Sequence, residues 1–331
     1  MCVIFWTVDD PHYDLVIASN RDEFLSRPTL AAEWHSFEPL SLSSATTPFS
    51  AQHNILSARD ATGGGTWLGI TRQGAFATLT NFTELSAPLP EGMDAFESRG
   101  SLVRDWLVSQ SQSQGEVRKK GLEEVRGEIR AYLETVEDKL ERFPGFNLLV
   151  GALSTHGAVV GYITNRTPDG RVAKDRKADI FLPQASAPTT APPGGMSNSV
   201  LTQPWAKVLS GSTAFRSILS ASPTQHHLVE HLFDLLWTSS DPKPTQRSEL
   251  RNSVLISPLE LPTVAAADGN RDWYATRTST VILVGKDGSA KLVERDTFQV
   301  VGFEAALVNG PEGSGAFAGR DGGQRVFEWQ M

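Results

Sequence analysis

Hydrophobic and polar positions form short strand-like runs at both ends of this chain and recur at three- and four-residue spacing in its middle. Residues 3–8 and 15–19 are β-branched or aromatic runs separated by Asp9-Asp10-Pro11-His12, a turn cluster. They predict a hairpin whose second strand carries Asn20-Arg21-Asp22-Glu23 back towards residue 2. Beyond a Ser/Pro-rich stretch, Gly63-Gly64-Gly65 leads into a strand over 66–71. Arg72-Gln73-Gly74 then turns the chain into a strand over 75–81, a second hairpin.

The middle reads as helix. Ser98 is placed to cap a helix carrying Leu102, Val103, Trp106 and Leu107. Val117, Leu122, Val125, Ile129, Tyr132, Leu133 and Val136 mark a second one. Strands resume over 146–151 and 158–164, joined at Thr155-His156-Gly157. Residues 183–195 are a low-complexity Pro/Ala/Thr run, expected to be a mobile loop or a lid. Pro204 opens a helix through Trp205, Val208, Phe215 and Ile218, and another covers 225–237. The last third is again β: 274–284, a turn at 285–288, 291–295, 298–303 and 326–329. Strands at both ends around helices predict an α+β fold of two sheets packed together with helices outside. Because both halves supply strands, a single domain over 1–331 is expected.

Composition narrows the classes. The net charge of −8 argues against nucleic acid as a partner, since phosphate binding needs a basic face. No 18-residue apolar run is present, so no transmembrane segment is expected, and the N-terminus lacks the basic n-region of a signal peptide. One cysteine, Cys2, excludes an intramolecular disulfide and suggests a reducing, cytoplasmic setting.

That cysteine is also the first chemical candidate. Initiator methionine is normally trimmed before a small residue, which would leave a thiol and a free α-amine on Cys2. An α-amine of pKa near 7.7–8.0 can take the thiol proton at neutral pH, supplying nucleophile and general base together. The structural alternative is a buried strand start. Asn81 at a strand end, Asn198 after the low-complexity run and Arg277 within a strand are further polar candidates, each with an ordinary structural reading. Positive charge from Arg277 and Arg21 would lower the Cys2 thiol pKa.

Two motifs mislead. His227-Leu228-Val229-Glu230-His231 matches a zinc-peptidase pattern, but His227, Glu230, His231 and Asp234 share the polar face of an amphipathic helix. A solvated face is expected, with no metal and no required cofactor. Gly63-Gly64-Gly65 lacks the Gly-Lys-Ser/Thr of a phosphate loop and precedes a strand, so a close backbone approach or a tight turn is expected.

Taken together, Cys2, Asn20-Arg21-Asp22-Glu23, Gly64-Gly65-Thr66-Trp67-Leu68-Gly69, Thr80-Asn81, Ser197-Asn198-Ser199 with Pro204-Trp205, and 274–280 resemble the NRDE, or transport and Golgi organisation, family. That family is similar in turn to the cysteine-type N-terminal-nucleophile hydrolases of the penicillin V acylase and bile-salt hydrolase class. The resemblance implies an αββα sandwich, with Cys2 as nucleophile and Asp22 holding its α-amine. It further implies Asn81 and Asn198 as oxyanion donors and Arg277 as support for the thiolate or the developing charge. Arg21 stays open, because it directly precedes Asp22 and strand neighbours face opposite ways.

Two functions follow from the resemblance. One is hydrolysis of a non-peptide amide or thioester of a small or lipidic substrate. The other is non-catalytic carriage of haem or acyl-lipid ligands, with haem as transported ligand and a site of action at mitochondria or Golgi.

Overall fold

The computed structural model describes residues 2–8, 10–37, 53–83, 89–111, 120–182, 194–222, 224–262, 271–301, 304–308 and 323–331. In chain order the first elements are β1 (Val3–Thr7), β2 (Tyr13–Phe24), β3 (Thr29–His35), β4 (Ile55–Asp60), β5 (Leu68–Thr71) and β6 (Ala75–Asn81). Helices α1 (Gly100–Ser111) and α2 (Leu122–Glu137) follow, then β7 (Phe146–Ser154), β8 (Gly157–Thr164), β9 (Asp179–Phe181) and β10 (Gly195–Met196). Helices α3 (Ala206–Ala221) and α4 (Gln225–Leu236) precede β11 (Leu259–Pro262), β12 (Arg271–Gly285), β13 (Ser289–Asp296), β14 (Phe298–Val301), β15 (Glu304–Leu307) and β16 (Gln324–Gln330).

The backbone gathers into two compact units. The first takes residues 1–27, 190–285 and 290–328; the second takes 28–189, 286–289 and 329–331. The sheet of the first unit has the order β10-β1-β2-β12-β13-β16, with β11 also paired to β12. Every pairing with a described register is antiparallel. Strand β2 is central and buried along most of its length. Val3 and Phe5 lie opposite Asn20 and Ala18, and that face packs Val16 and Ala18 against Val208 and Phe215 of α3 and Leu232 and Phe233 of α4.

The second unit holds the antiparallel meander β3-β4-β5-β6-β7-β8-β9. Helices α1 and α2 bury Trp106, Leu107, Val125, Ile129 and Leu133 with Ala77, Leu148 and Val150 of its strands. The Trp106 indole is satisfied by donating to the Phe76 carbonyl at 3.0 Å. The fold class is therefore α+β, with two large antiparallel sheets and few helices.

Several strands lie outside the sequence reading: β3, β4, β9, β10, β11 and β15. Helix α1 begins at Gly100 and α2 at Leu122, with Val117 outside the described residues. The lid expected over 183–195 falls outside them as far as 193. Its last residue is a correction, because Gly195 is paired with Phe5 in a strand. Among the described residues no helix is long and apolar enough to cross a membrane.

Candidate active site

Strand β2 sets the site. It runs unbroken to Phe24, so Asn20, Arg21, Asp22 and Glu23 alternate between faces. Asn20 and Asp22 point to the helix-covered face, and Arg21 to the other. Asn20 is fully buried and structural: its amide donates to the carbonyls of Leu236 at 2.7 Å and Val254 at 3.2 Å, and accepts from Ser279 Oγ at 2.7 Å.

Asp22 is different. Its side chain has no exposed surface. Thr276 Oγ1 donates to its Oδ1 at 2.7 Å, and Tyr274 Oη donates to its backbone carbonyl at 3.0 Å. Burial pushes this carboxyl above the usual range, opposed by the positive terminal amine, by the Lys207 ammonium and by the Thr276 hydrogen bond.

Cys2 precedes β1, and because Val3 lies opposite Asn20, it meets the Arg21-Asp22 step. The residue is half-buried, and burial is the largest influence on its thiol, which it pushes up. The Asp22 carboxylate acts in the same direction, while the Asp22 backbone N–H bonded to the sulfur and the Arg21 charge act against it. The expected lowering of the thiol pKa is therefore overturned in the chain that carries Met1: desolvation of a thiolate outweighs the nearby positive charge. Arg21, left open by the sequence, reaches Cys2 electrostatically from the far face.

Arg277 occupies a bulge. Thr276 pairs with Asp22 and Thr278 with Arg21, so Arg277 is the extra residue between them. Its Nη1 donates to the carbonyls of Leu25 at 2.9 Å and Arg27 at 2.7 Å. These bonds tie its guanidinium to the turn after β2. Asn198 is brought to the N-terminal end because β10 runs antiparallel to β1. Ser197 Oγ then donates to the Cys2 carbonyl at 2.6 Å, and Asn198, buried, follows directly. Asn81 ends β6 in the second unit, paired with Phe146.

The sequence reading missed Lys207. It sits in the first turn of α3, fully buried, with Nζ 4.0 Å from Asp22 Oδ2. Its signal was available: 207, 208, 211, 212 and 215 form one helical stripe, and Val208 and Phe215 had already marked that stripe as core.

Both motifs have local partners. Glu230 is held bidentately by Arg295 at 3.0 and 2.6 Å, while His227 and His231 bond to Thr224 and Ser222. Among the described residues no three of His, Cys, Asp and Glu gather as a metal site. A Cβ on Gly65 would stand 2.3 Å from the Gly100 backbone, the close approach expected there.

A family model described as Transport and Golgi organisation 2 matches residues 1–299. The Transport and Golgi organization protein 2 homolog of Homo sapiens is 30% identical over 309 residues, 89% of this chain and 92% of that protein. The Bos taurus homolog is 30% identical over 306 residues, with the same coverage. Among solved structures, the penicillin V acylase from Agrobacterium tumefaciens is similar over 94% of this chain and 87% of that chain, at 13% identity and a TM-score of 0.44.

Proposed function

The chain belongs to the Transport and Golgi organisation 2 family, and from that premise we propose a hydrolase with Cys2 as N-terminal nucleophile, cleaving a non-peptide amide or thioester of a small or lipidic substrate. One observation carries the reading: a wholly buried carboxylate, Asp22, held in place by Thr276 at the step of β2 that meets Cys2. A carboxylate in such a place requires cationic or N–H partners. The α-amine exposed by loss of Met1 is such a partner.

In the proposed cycle the neutral Cys2 amine accepts the thiol proton and the thiolate adds to the substrate carbonyl. The new oxyanion takes N–H donors, with the Asn198 amide nitrogen offered from this unit. Collapse expels the amine or thiol with the proton that the Cys2 ammonium returns. Water, deprotonated by the same amine, then releases the acid and restores the thiol. The reading sets the protein in a reducing compartment, the cytoplasm.

A second reading rests on a specific observation. With Met1 in place burial pushes the thiol up, and a neutral thiol is a poor nucleophile. A chain that keeps Met1 suits a carrier of haem or acyl-lipid better than an enzyme.

The experiment compares a chain beginning at Cys2 with one bearing an uncleavable Ser-Gly ahead of it, each given p-nitrophenyl esters of short and long fatty acids. Acyl transfer, read as p-nitrophenolate release and as an acyl mass increment on Cys2, is expected in the first and should fall by ~10²–10⁴-fold in the second, where the amine is an amide. Equal rates in both sink the self-activating mechanism. Ligand retention by both without acylation supports the carrier.

A further inference from the structure

Lysine is almost never fully buried unless paired, and Lys207 occupies a position that helix α3 would ordinarily give to an apolar residue. The stripe it heads continues through Val208, Gly211, Ser212 and Phe215, all buried. Two glycines bring the helix down on the sheet. A Cβ on Gly211 would lie 2.2 Å from Phe5 Cζ, and one on Gly195 would lie 2.6 Å from Ser212 Oγ. That close seating lowers the first turn of α3 onto the end of β2, where Lys207 Nζ stands 4.0 Å from Asp22 Oδ2 with both side chains fully enclosed. On its other side the ammonium lies 5.9 Å from the centre of the Trp205 ring. Burial pulls the Lys207 pKa down from its ordinary value, and the charges of Asp22 and Cys2 act against that by favouring the protonated lysine. The three groups thus form one electrostatic unit at the head of the chain.

The proposed reaction sets a conflict that such a lysine resolves. A carboxylate beside the Cys2 amine holds the amine in place, but its charge also favours the ammonium, which cannot accept a proton. A second cation on the far side of the carboxylate offsets that charge. We infer that Lys207 is a positioning residue of the Cys2 centre: its ammonium pins Asp22 as a carboxylate and offsets that charge, leaving the processed Cys2 amine free to act as proton acceptor. This rests on the hydrolase reading for its purpose, though not for its measurement.

The charged and titratable groups acting on the thiol are the terminal amine and Asp22 and Arg21 of β2, joined from α3 by Lys207, on which Cys2 in turn acts. Of these, Lys207 and Asp22 can be removed one at a time with opposite sign. In chains beginning at Cys2, verified by intact mass, the rate of iodoacetamide alkylation is followed from pH 5 to 10. Lys207→Met removes a positive charge, so the alkylation midpoint should rise by about one unit, and alkylation below it should slow about tenfold. Asp22→Asn removes a negative charge, so its midpoint should fall by a similar amount. Opposed displacements support the inference, and either variant that folds tests it alone.

A Lys207 that only fills space would change the thermal midpoint and leave the alkylation profile where it was. That outcome, or displacement of both variants in the same direction, overturns the proposal. The p-nitrophenyl ester assay keeps this separate from the hydrolase reading. Opposed displacements without acylation retain the electrostatic role of Lys207 and reject the enzyme. Acylation with an unmoved Lys207→Met profile does the reverse.

Discussion

His35 shows how one buried side chain in the second unit sets the response to acid. The Phe37 backbone N–H donates to its Nδ1 at 3.3 Å, so that nitrogen must be unprotonated, and Nε2–H is left to Ser57 Oγ at 2.8 Å. Phe37 holds φ of 64° to make this approach and stacks edge-on to the ring. Burial is the main cause that pulls the imidazole pKa down from 6.5 to about 4, with Arg59 adding to it. The sign follows directly. The folded state binds fewer protons than the unfolded one between those values, so the stability is present above pH 6.5 and lost as pH falls towards 4. The loss should be about 3 kcal/mol. Urea unfolding at a series of pH values should show it, and His35→Gln should flatten that limb; an unchanged limb would assign the acid response elsewhere.

At the scale of the element, α3 poses a contest between two effects of known sign. Replacing a helical glycine by alanine favours the helix by about 1 kcal/mol. At Gly211 the added methyl would stand 2.2 Å from Phe5 Cζ, and Phe5 is itself fully buried and stacked on Phe215. Overpacking of this kind costs about 1–3 kcal/mol, so steric displacement outweighs propensity. Gly211→Ala should lower the thermal midpoint, and by lifting α3 it should also move the Cys2 alkylation profile. A more stable Gly211→Ala protein would show that α3 does not seat closely on β1.

At the scale of the whole molecule, the first unit is assembled from segments far apart in sequence. Asp22 pairs with Thr276 and Ile4 with Met196. Such pairing is slow to form, because loop closure precedes any reward. The last strand illustrates the dependence. The matched family region stops at residue 299, whereas β16 spans Gln324–Gln330 and lies beside β13. Its Arg325 donates to Glu294 at 2.7 Å and to Asp296 at 2.9 and 2.5 Å, and the Glu294 side chain is only 2% exposed. Arg325→Met should therefore destabilise the protein by about 2–4 kcal/mol in denaturant melts, although the residue lies outside the matched region. A loss below about 0.5 kcal/mol would mark β16 as dispensable.

Legibility in the sequence followed the same divide between near and far. Amphipathic helices such as α2, and hairpins such as β5–β6, carry their evidence within one window, and were read correctly. Strand β10 is two residues long and β3 is half exposed; both exist only because β1 and β4 pair with them. Cys2, Asp22 and Asn198 stand far apart in the sequence, and register explains why Asp22 and Asn198 come to Cys2. The bulge that carries Arg277, whose Nη1 bonds to the carbonyls of Leu25 and Arg27, is invisible in the sequence. Lys207 was passed over because a lone lysine in a helix is ordinarily solvated.

The alternation along β2 has a consequence for how such chains diverge. Asn20 ties the strand to the carbonyls at the end of α4 and before β11, while Asp22, two residues on, faces Lys207. Under the proposed reaction, one short motif answers to two separate selective pressures. A descendant that gives up the chemistry is released at Cys2, Asp22 and Lys207 but not at Asn20 or Ser279. In such a lineage the first three should drift together while the clasp persists, leaving a fossil of the fold with its reaction erased.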